Sequence, residues 1–434
     1  MVVLLTGATG FLGSHLLSAL LAARHQVVCV VRRPSEGDAA EGVRYLPGDF
    51  ARDHAAADWL PRLDGVDAVI NAVGILREQG AQRFEALHLR APSALFQACA
   101  QAGVQRVLQI SALGADEQAA SAYHLSKKAA DELLLSLPLP SVAVIQPSLL
   151  YGPGGGSARL FSLLASLPIC PLPGQGRQQL QPLHIDDAVE AILALLARPA
   201  AGGRIALVGP VPLALRDFLA ALRAALGLGR PRFLPLPERL MAVAARVGDR
   251  WPASLFDSDS WQMLQRGNTA DAAATSALLG RPPRAPARFI AERDAAAQRS
   301  LALLSWLLPL LRLAMALVWI VTGIVSLGVY PIPAGLALLD RAGVPPALAP
   351  AMLFGAALLD IALGIASLMP GPRRWLWIAQ AALILFYTAV ISLRLPEYWA
   401  HPYGPMLKNL PMLVALWLLH ALEPPPARRR GSAR

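Results

Sequence analysis

Four apolar segments, near residues 306–329, 347–369, 375–393 and 406–422, constrain this chain more than any other feature. Each has the roughly 17 to 25 residues a helix needs to cross the hydrocarbon layer of a bilayer. In lipid the backbone must satisfy its own polar groups, so runs of this kind form helices. The last is the weakest, because Lys408 and His420 leave its apolar stretch short. Over the whole chain apolar residues make up 55% and charged residues 16%, against about 45–50% and about 25% in soluble domains, so part of the chain is expected to meet lipid. If all four segments cross, Arg299, Arg312, Arg373, Arg374 and the Arg428, Arg429, Arg430 cluster share one side, with Arg341, Arg394 and Lys408 on the other. That bias places both termini in the cytoplasm of a multi-pass inner (cytoplasmic) membrane protein.

The net charge of +10 is read as orientation, since no run of Lys and Arg interleaved with aromatics speaks for nucleic acid. Cys29, Cys99 and Cys170 match no metal or redox spacing, and the eight histidines are scattered, so no metal site is expected. The opening MVVLLTGATG has an apolar run too short for a signal peptide, and the first domain is expected to stay where it is made.

Ahead of the apolar segments, short runs (VVLL, VVCVV, VRYL, AVIN, RVLQIS, VAVIQ, RIALV) alternate with stretches of helical spacing such as FLGSHLLSALLAAR and YHLSKKAADELLLSL. This alternation predicts an α/β fold, a doubly wound parallel sheet of Rossmann type. The expected organisation is a nucleotide-binding domain over 1–208, a small cap and linker over 209–300, an all-α four-helix transmembrane bundle over 301–423, and a basic cytoplasmic tail over 424–434.

Thr6 to Gly13 read TGATGFLG, between the first strand and the first helix. Gly7 allows the tight turn, Gly10 the approach of a pyrophosphate, and Gly13 close packing of helix on strand. The helix N-terminus then offers free N–H groups to the phosphates. About 20 residues on, where an acidic residue would hold a ribose 2′-hydroxyl, the chain instead has Arg32 and Arg33, which suit a 2′-phosphate. NADP(H) is therefore the expected cofactor, with NAD(H) the alternative. Asp49, behind the third strand, is expected either to accept from the adenine amine or to serve its own turn.

Together with NAVG at 71–74, SALGA at 111–115 and YHLSK at 123–127, this loop resembles the short-chain dehydrogenase/reductase superfamily, in its extended or atypical NAD(P)H-binding branch. That branch includes an accessory subunit of mitochondrial complex I. QPSLLYGPGG and PLHIDDAVEAI look like its later segments, and the likeness covers about the first 290 residues. The apolar part is similar to the DoxX-like four-helix family, mainly through PEYWAHPYGPMLKNLP at 396–411. The resemblance implies cofactor contacts at Thr6, Gly7, Thr9, Gly10, Phe11, Leu12, Gly13, Arg32, Arg33, Asp49, Asn71, Ala72, Gly74, Lys127 and Pro147. It implies catalysis by Ser111, Tyr123 and Lys127. Where the superfamily usually has an asparagine, this chain has His88.

The chemistry behind YHLSK is general. Free tyrosine has a pKa of about 10, so acting near neutrality requires a neighbouring cation. Lys127 lies one helical turn on, on the same face. Ser111 is placed to stabilise a developing oxyanion, and Tyr123 to protonate a carbonyl oxygen while the cofactor supplies hydride. The resulting expectation is a membrane-anchored NADPH-dependent oxidoreductase acting on a carbonyl, alcohol or quinone-like lipophilic substrate. Two alternatives stand beside it: a non-catalytic NADPH-binding subunit of a membrane respiratory complex, and an NAD(P)-dependent epimerase or lyase. In the middle of the second apolar segment, Asp360 is expected to face the bundle interior, on one helical face with Ala356 and Gly364. It would line a polar cavity there or bond a neighbouring helix.

Overall fold

The computed structural model describes residues 1–34, 41–198, 203–250, 254 and 256–424, and the chain divides into two compact units, Met1–Ala302 and Leu303–Arg434. The basic cluster Arg428, Arg429, Arg430 lies outside the described residues.

The first unit is built on seven strands: β1 (Val2–Thr6), β2 (Gln26–Val31), β3 (Val43–Pro47), β4 (Ala68–Asn71), β5 (Arg106–Ile110), β6 (Val142–Pro147) and β7 (Arg204–Leu207). They pair in the order β7-β6-β5-β4-β1-β2-β3, every neighbour parallel. Parallel strands need crossover helices, which cover both faces of the sheet and make its strands apolar on both sides. On one face Val3, Leu5, Ile70, Leu108 and Ile145 meet Leu16 and Leu20 of α1 (Phe11–Ala22), with further helical residues. On the other, Leu4, Val69, Val107 and Val144 meet Leu95 and Phe96 of α2 (Ala91–Ala102) and Ala130 and Leu134 of α3 (Ala122–Ser136). The face opposite α2 and α3 is completed by α4 (Ile185–Ala197). The strand order reverses between β1 and β4, where open α/β sheets bind their ligands.

A third cluster, with Phe218, Leu219, Leu222, Tyr151 and Phe289, forms a lobe beside the sheet. There the short parallel strands Cys170–Pro173 and Phe233–Leu236 lead into α5 (Glu238–Asp249).

The second unit contains most of α6 (Glu292–Ile324), then α7 (Ile332–Arg341), α8 (Ala349–Leu368), α9 (Arg374–Arg394) and α10 (Asn409–Leu422). Among the described residues three helical stretches, Glu292–Val329, α8 and α9, are long and apolar enough to cross a membrane. The fourth expected segment forms α10, whose 14 residues reach about 21 Å at 1.5 Å per residue. The interval between the first two apolar segments holds α7, which the sequence pattern did not reveal.

Small residues bring α6 and α8 together: a Cβ on Gly323 would lie 2.5 Å from the Ala357 carbonyl oxygen, and one on Gly364 would lie 2.8 Å from that of Ala316. The buried line of α8 runs through Ala357, Asp360 and Gly364, with Ala356 half-buried at its margin. Asp360 is 6% exposed, and one of its carboxylate oxygens has no partner among the described residues. Beside this contact Trp319 Nε1 donates to Gln380 Oε1 (2.9 Å) and Gln380 Nε2 to Ser367 Oγ (2.8 Å). At the entry end of α9, Trp377 Nε1 donates to Glu423 Oε2 (2.7 Å), and His420 Nδ1 lies 3.1 Å from the Arg374 carbonyl. Asn409 Nδ2, at the start of α10, donates to Thr388 Oγ1 on α9 (2.7 Å). The last helix therefore folds back antiparallel along the first two-thirds of α9.

Candidate active site

The strand ends at the carboxyl edge of the sheet assemble the site. Behind β1, Gly7 adopts φ +71°, and a Cβ there would lie 2.6 Å from the Ala72 carbonyl oxygen behind β4. A Cβ on Gly13 would lie 2.0 Å from the Gly7 oxygen, so only glycine lets α1 start this close to its own loop. Gly10 caps α1 with no side-chain hydrogen bond, which leaves the first-turn N–H groups for an anion. Thr9 and Gly10 are exposed, with Phe11 and Leu12 half-buried beside them. This cradle fits the diphosphate of a dinucleotide. Arg32 and Arg33 follow β2, exposed and without an ion pair among the described residues. Asp49 is occupied by its own turn: Oδ1 accepts from the Ala51 N–H (3.0 Å) and the carboxylate lies 3.8 Å from Arg52.

Thr6 and Asn71 turn inward. Thr6 Oγ1 donates to Asn71 Oδ1 (2.6 Å), and Asn71 Nδ2 to Gln109 Oε1 (2.6 Å). The pleat explains this, since residues 6, 71 and 109 point to the α2–α3 side along with Leu4, Val69 and Val107. Their role is to bind β1, β4 and β5 into one rigid edge.

α3 starts at Ser121, whose hydroxyl accepts from the His124 N–H, a regular N-cap. It presents Tyr123, Lys127 and Asp131 at four-residue intervals on one face. Lys127 Nζ donates to the carbonyls of Val73 and Ile110 (both 3.1 Å), and Gly74 makes room for it, since a Cβ there would be 3.2 Å away. Burial brings the Lys127 ammonium down to about 8, with the Asp131 charge opposing. Burial, then the Asp131 charge, push the Tyr123 phenol up to about 12. Tyr123 packs edge-on against Phe84, His88 and His124, with ring centroids 6.1, 5.5 and 5.3 Å away. Its hydroxyl makes no hydrogen bond among the described residues.

Ser111 is only 4% exposed, and its hydroxyl donates to Asp131 Oδ2 under α3. Position 111 has the same strand parity as Gln109, which directs it there. Asp131 is fully buried, with its other oxygen unpartnered among the described residues, as is Gln109 Nε2. Burial raises the Asp131 carboxyl to about 6, against the Ser111 hydrogen bond and the Lys127 charge.

His88 sits in a π-helical turn, Glu85–Arg90, that runs into α2. Its Nε2 accepts from the Ile75 N–H (3.0 Å), so Nδ1 carries the proton and donates to Ser126 Oγ (2.9 Å), which donates to the Tyr123 carbonyl (2.8 Å). Burial, helped by the Lys127 charge, takes the imidazole down to about 2. His88 is thus a neutral bridge between the end of β4 and α3.

Pro147, ending β6, accepts from the Leu113 N–H (3.0 Å) and so fixes the loop behind β5. From far along the chain Arg266 Nη1 donates to the Gly114 carbonyl (2.7 Å) and pairs with Asp116 (2.6 Å), while Asn268 Oδ1 accepts from the Leu149 N–H (2.8 Å). Sequence reasoning missed Asp131, Gln109, Arg266 and Asn268. Only Asp131 carried a signal, its place one turn beyond Lys127.

Known proteins resemble both parts of this chain. A model of the NAD dependent epimerase/dehydratase family matches residues 3–209, and one of the DoxX-like family matches residues 316–417. An epimerase family protein of Mycobacterium bovis is 30% identical over 270 residues, covering 57% of this chain and 85% of its own. A ceramide reductase of Caulobacter vibrioides is 29% identical over 267 residues, covering 60% and 80%. Subunit 9 of the NADH dehydrogenase [ubiquinone] 1 alpha subcomplex of Arabidopsis thaliana mitochondria is 30% identical over 201 residues, covering 44% and 48%. Among solved structures, MoeE5 in complex with UDP-glucuronic acid and NAD superposes with a TM-score of 0.52 at 23% identity, covering 70% of this chain and all of that one (100%). The likeness to that structure is one of fold. The match to an NAD dependent family supports a nicotinamide dinucleotide as the cofactor class.

Proposed function

The chain belongs to the NAD-dependent epimerase/dehydratase family, and on that premise we propose that it is a membrane-anchored NADPH-dependent oxidoreductase acting on a lipophilic carbonyl or the matching alcohol. The observation that carries this reading is the Tyr123 hydroxyl, without a hydrogen-bond partner among the described residues at the carboxyl edge of the sheet, with buried Lys127 one turn away. The bound cofactor supplies the hydride. Tyr123, neutral at working pH, gives its phenolic proton to the substrate oxygen, and the aromatic ring set of Phe84, His88 and His124 holds it in place. Lys127, fixed by two carbonyls, keeps a positive charge beside the developing anion.

Arg32 and Arg33 favour the 2′-phosphate of NADPH, since guanidinium pairs well with phosphate and no acidic residue stands at that point. Three membrane-length helices among the described residues, the DoxX-like match and a relative named for ceramide reduction support a substrate of long-chain character drawn from the bilayer. The distribution of Arg312, Arg373 and Arg374 supports an inner-membrane location with the first unit in the cytoplasm.

A second reading, a non-catalytic NADPH-binding subunit of a membrane redox complex, is favoured by one observation. Ser111, the expected oxyanion partner, spends its hydroxyl on Asp131. The two readings separate in one experiment on detergent-solubilised protein, which follows NADPH and NADH binding, then cofactor oxidation against lipophilic ketones, aldehydes and quinones. Tyr123→Phe is expected to lower turnover by about 100-fold or more while binding is retained. Tight NADPH binding with no turnover on any of these substrates would instead select the second reading.

A further inference from the structure

The outward face of α5 has no partner among the described residues of its unit. Leu240, Val243 and Val247 are 52%, 53% and 48% exposed, with exposed Ala244 between them. Their spacing of i, i+3, i+4 and i+7 makes one stripe along the helix. Arg239, Arg246 and Arg250 are all exposed along one flank of that stripe, and none makes an ion pair among the described residues. Of the two acidic residues, Glu238 begins the helix and Asp249 ends it, where it accepts from the Ser258 N–H and hydroxyl (2.9 and 2.7 Å).

The helix cannot roll to hide this stripe. Its opposite face is buried through Ala245 and Gly248, and a Cβ on Gly248 would lie 2.0 Å from the Phe256 carbonyl oxygen. Single exposed apolar residues are ordinary on protein surfaces. A fixed apolar stripe edged by unpaired arginines on a 12-residue helix is the pattern of helices that lie in a membrane interface.

We propose that α5 docks on the surface of an anionic bilayer, its Leu240–Val243–Val247 stripe at the acyl boundary and Arg239, Arg246 and Arg250 on lipid phosphates. Two things favour lipid over a protein partner. The flank is purely cationic, matching phosphate rather than a mixed protein surface. The same chain also carries helices of membrane length, which keep the first unit at a membrane. The inference rests on the membrane reading given above.

The test uses the full chain with an environment-sensitive fluorophore at Val243→Cys. Native Cys29, Cys99 and Cys170 are buried, and burial raises their thiols to about 11, 12 and 11, so labelling favours the new site. The protein is reconstituted into nanodiscs of phosphatidylcholine and phosphatidylglycerol in a two-to-one ratio. A second label at exposed Asp64→Cys reports an aqueous surface. Expected is blue-shifted emission at 243, with quenching by nitroxide-bearing lipid several-fold above that at 64. Replacing Arg239, Arg246 and Arg250 by Glu should bring 243 to the level of 64. Iodide quenching at 243 equal to that at 64 would overturn the proposal. So would shielding from both quenchers, which would mark a protein partner or a second copy. Failure of the labelled chain to enter the discs would overturn the membrane reading as well, and is recognised separately by the absence of lipid in the purified particle.

Discussion

Tyr123, Lys127 and Asp131 share one face of α3, and each is shifted toward its uncharged form chiefly by burial. For Asp131 the sign of the consequence is definite. Its folded-state value of about 6 exceeds the ordinary carboxyl value of about 3.9, so the folded state holds the proton more tightly. Stability from this group is complete below about pH 4 and is lost as pH rises through about 6. Asp131→Asn keeps an acceptor for Ser111 and removes the titration. Relative to the wild type, the variant is expected to gain up to about 3 kcal/mol between pH 4 and 7, read as the difference between the two melting profiles. Equal profiles across that range would mean Asp131 stays ionised in the fold. At the other end of the site, replacing Arg32 and Arg33 together by Ala should cost NADPH affinity about 10-fold or more and leave NADH nearly unchanged, with the wild-type preference weakening as salt is added. Titration of both cofactors into the two proteins checks this.

At the scale of elements, α1 and its loop touch so closely that one methyl group decides the outcome. Gly13→Ala would place a Cβ 2.0 Å from the Gly7 oxygen, so either α1 or the loop must move. Cofactor affinity is expected to fall about 10-fold or more, at a folding cost of about 1–3 kcal/mol. Equilibrium binding and thermal unfolding measure the two separately. The same scale explains what the sequence disclosed. All seven strand runs appear in the sheet, because a parallel sheet covered on both faces writes each strand as a continuous apolar run. The glycine loop and the Tyr123–Lys127 pair were legible because they are local in sequence. The turn of Ser111 toward Asp131 was not, because it depends on strand parity together with helix phase. Arg266 and Asn268 were out of reach for another reason: they meet the site across more than a hundred residues of chain. α7 escaped because Pro333 and Gly335 near its start read as turn residues.

For the whole molecule, the second unit shows how far length alone carries an argument. Among the described residues three helical stretches are long enough to cross, and an odd number of crossings would leave the two ends on opposite sides. Yet α10 begins beside Thr388 and ends beside Arg374 and Trp377, at the level where α9 begins. Glu423 there also lies 3.9 Å from Arg312 on α6, and Arg312 Nη2 lies 3.4 Å from the Met369 carbonyl behind α8. A fluorescent protein fused behind α10 should therefore light up in the same compartment as one fused ahead of β1, and an alkaline phosphatase at either place should stay inactive. Active phosphatase behind α10 alone would mean the last helix never returns. If the chain does leave this bundle on the side where it entered, the bundle is topologically neutral. It can be inserted into or excised from a longer polypeptide without changing the compartment of whatever follows, so a nucleotide-binding domain joined to it keeps its side of the membrane.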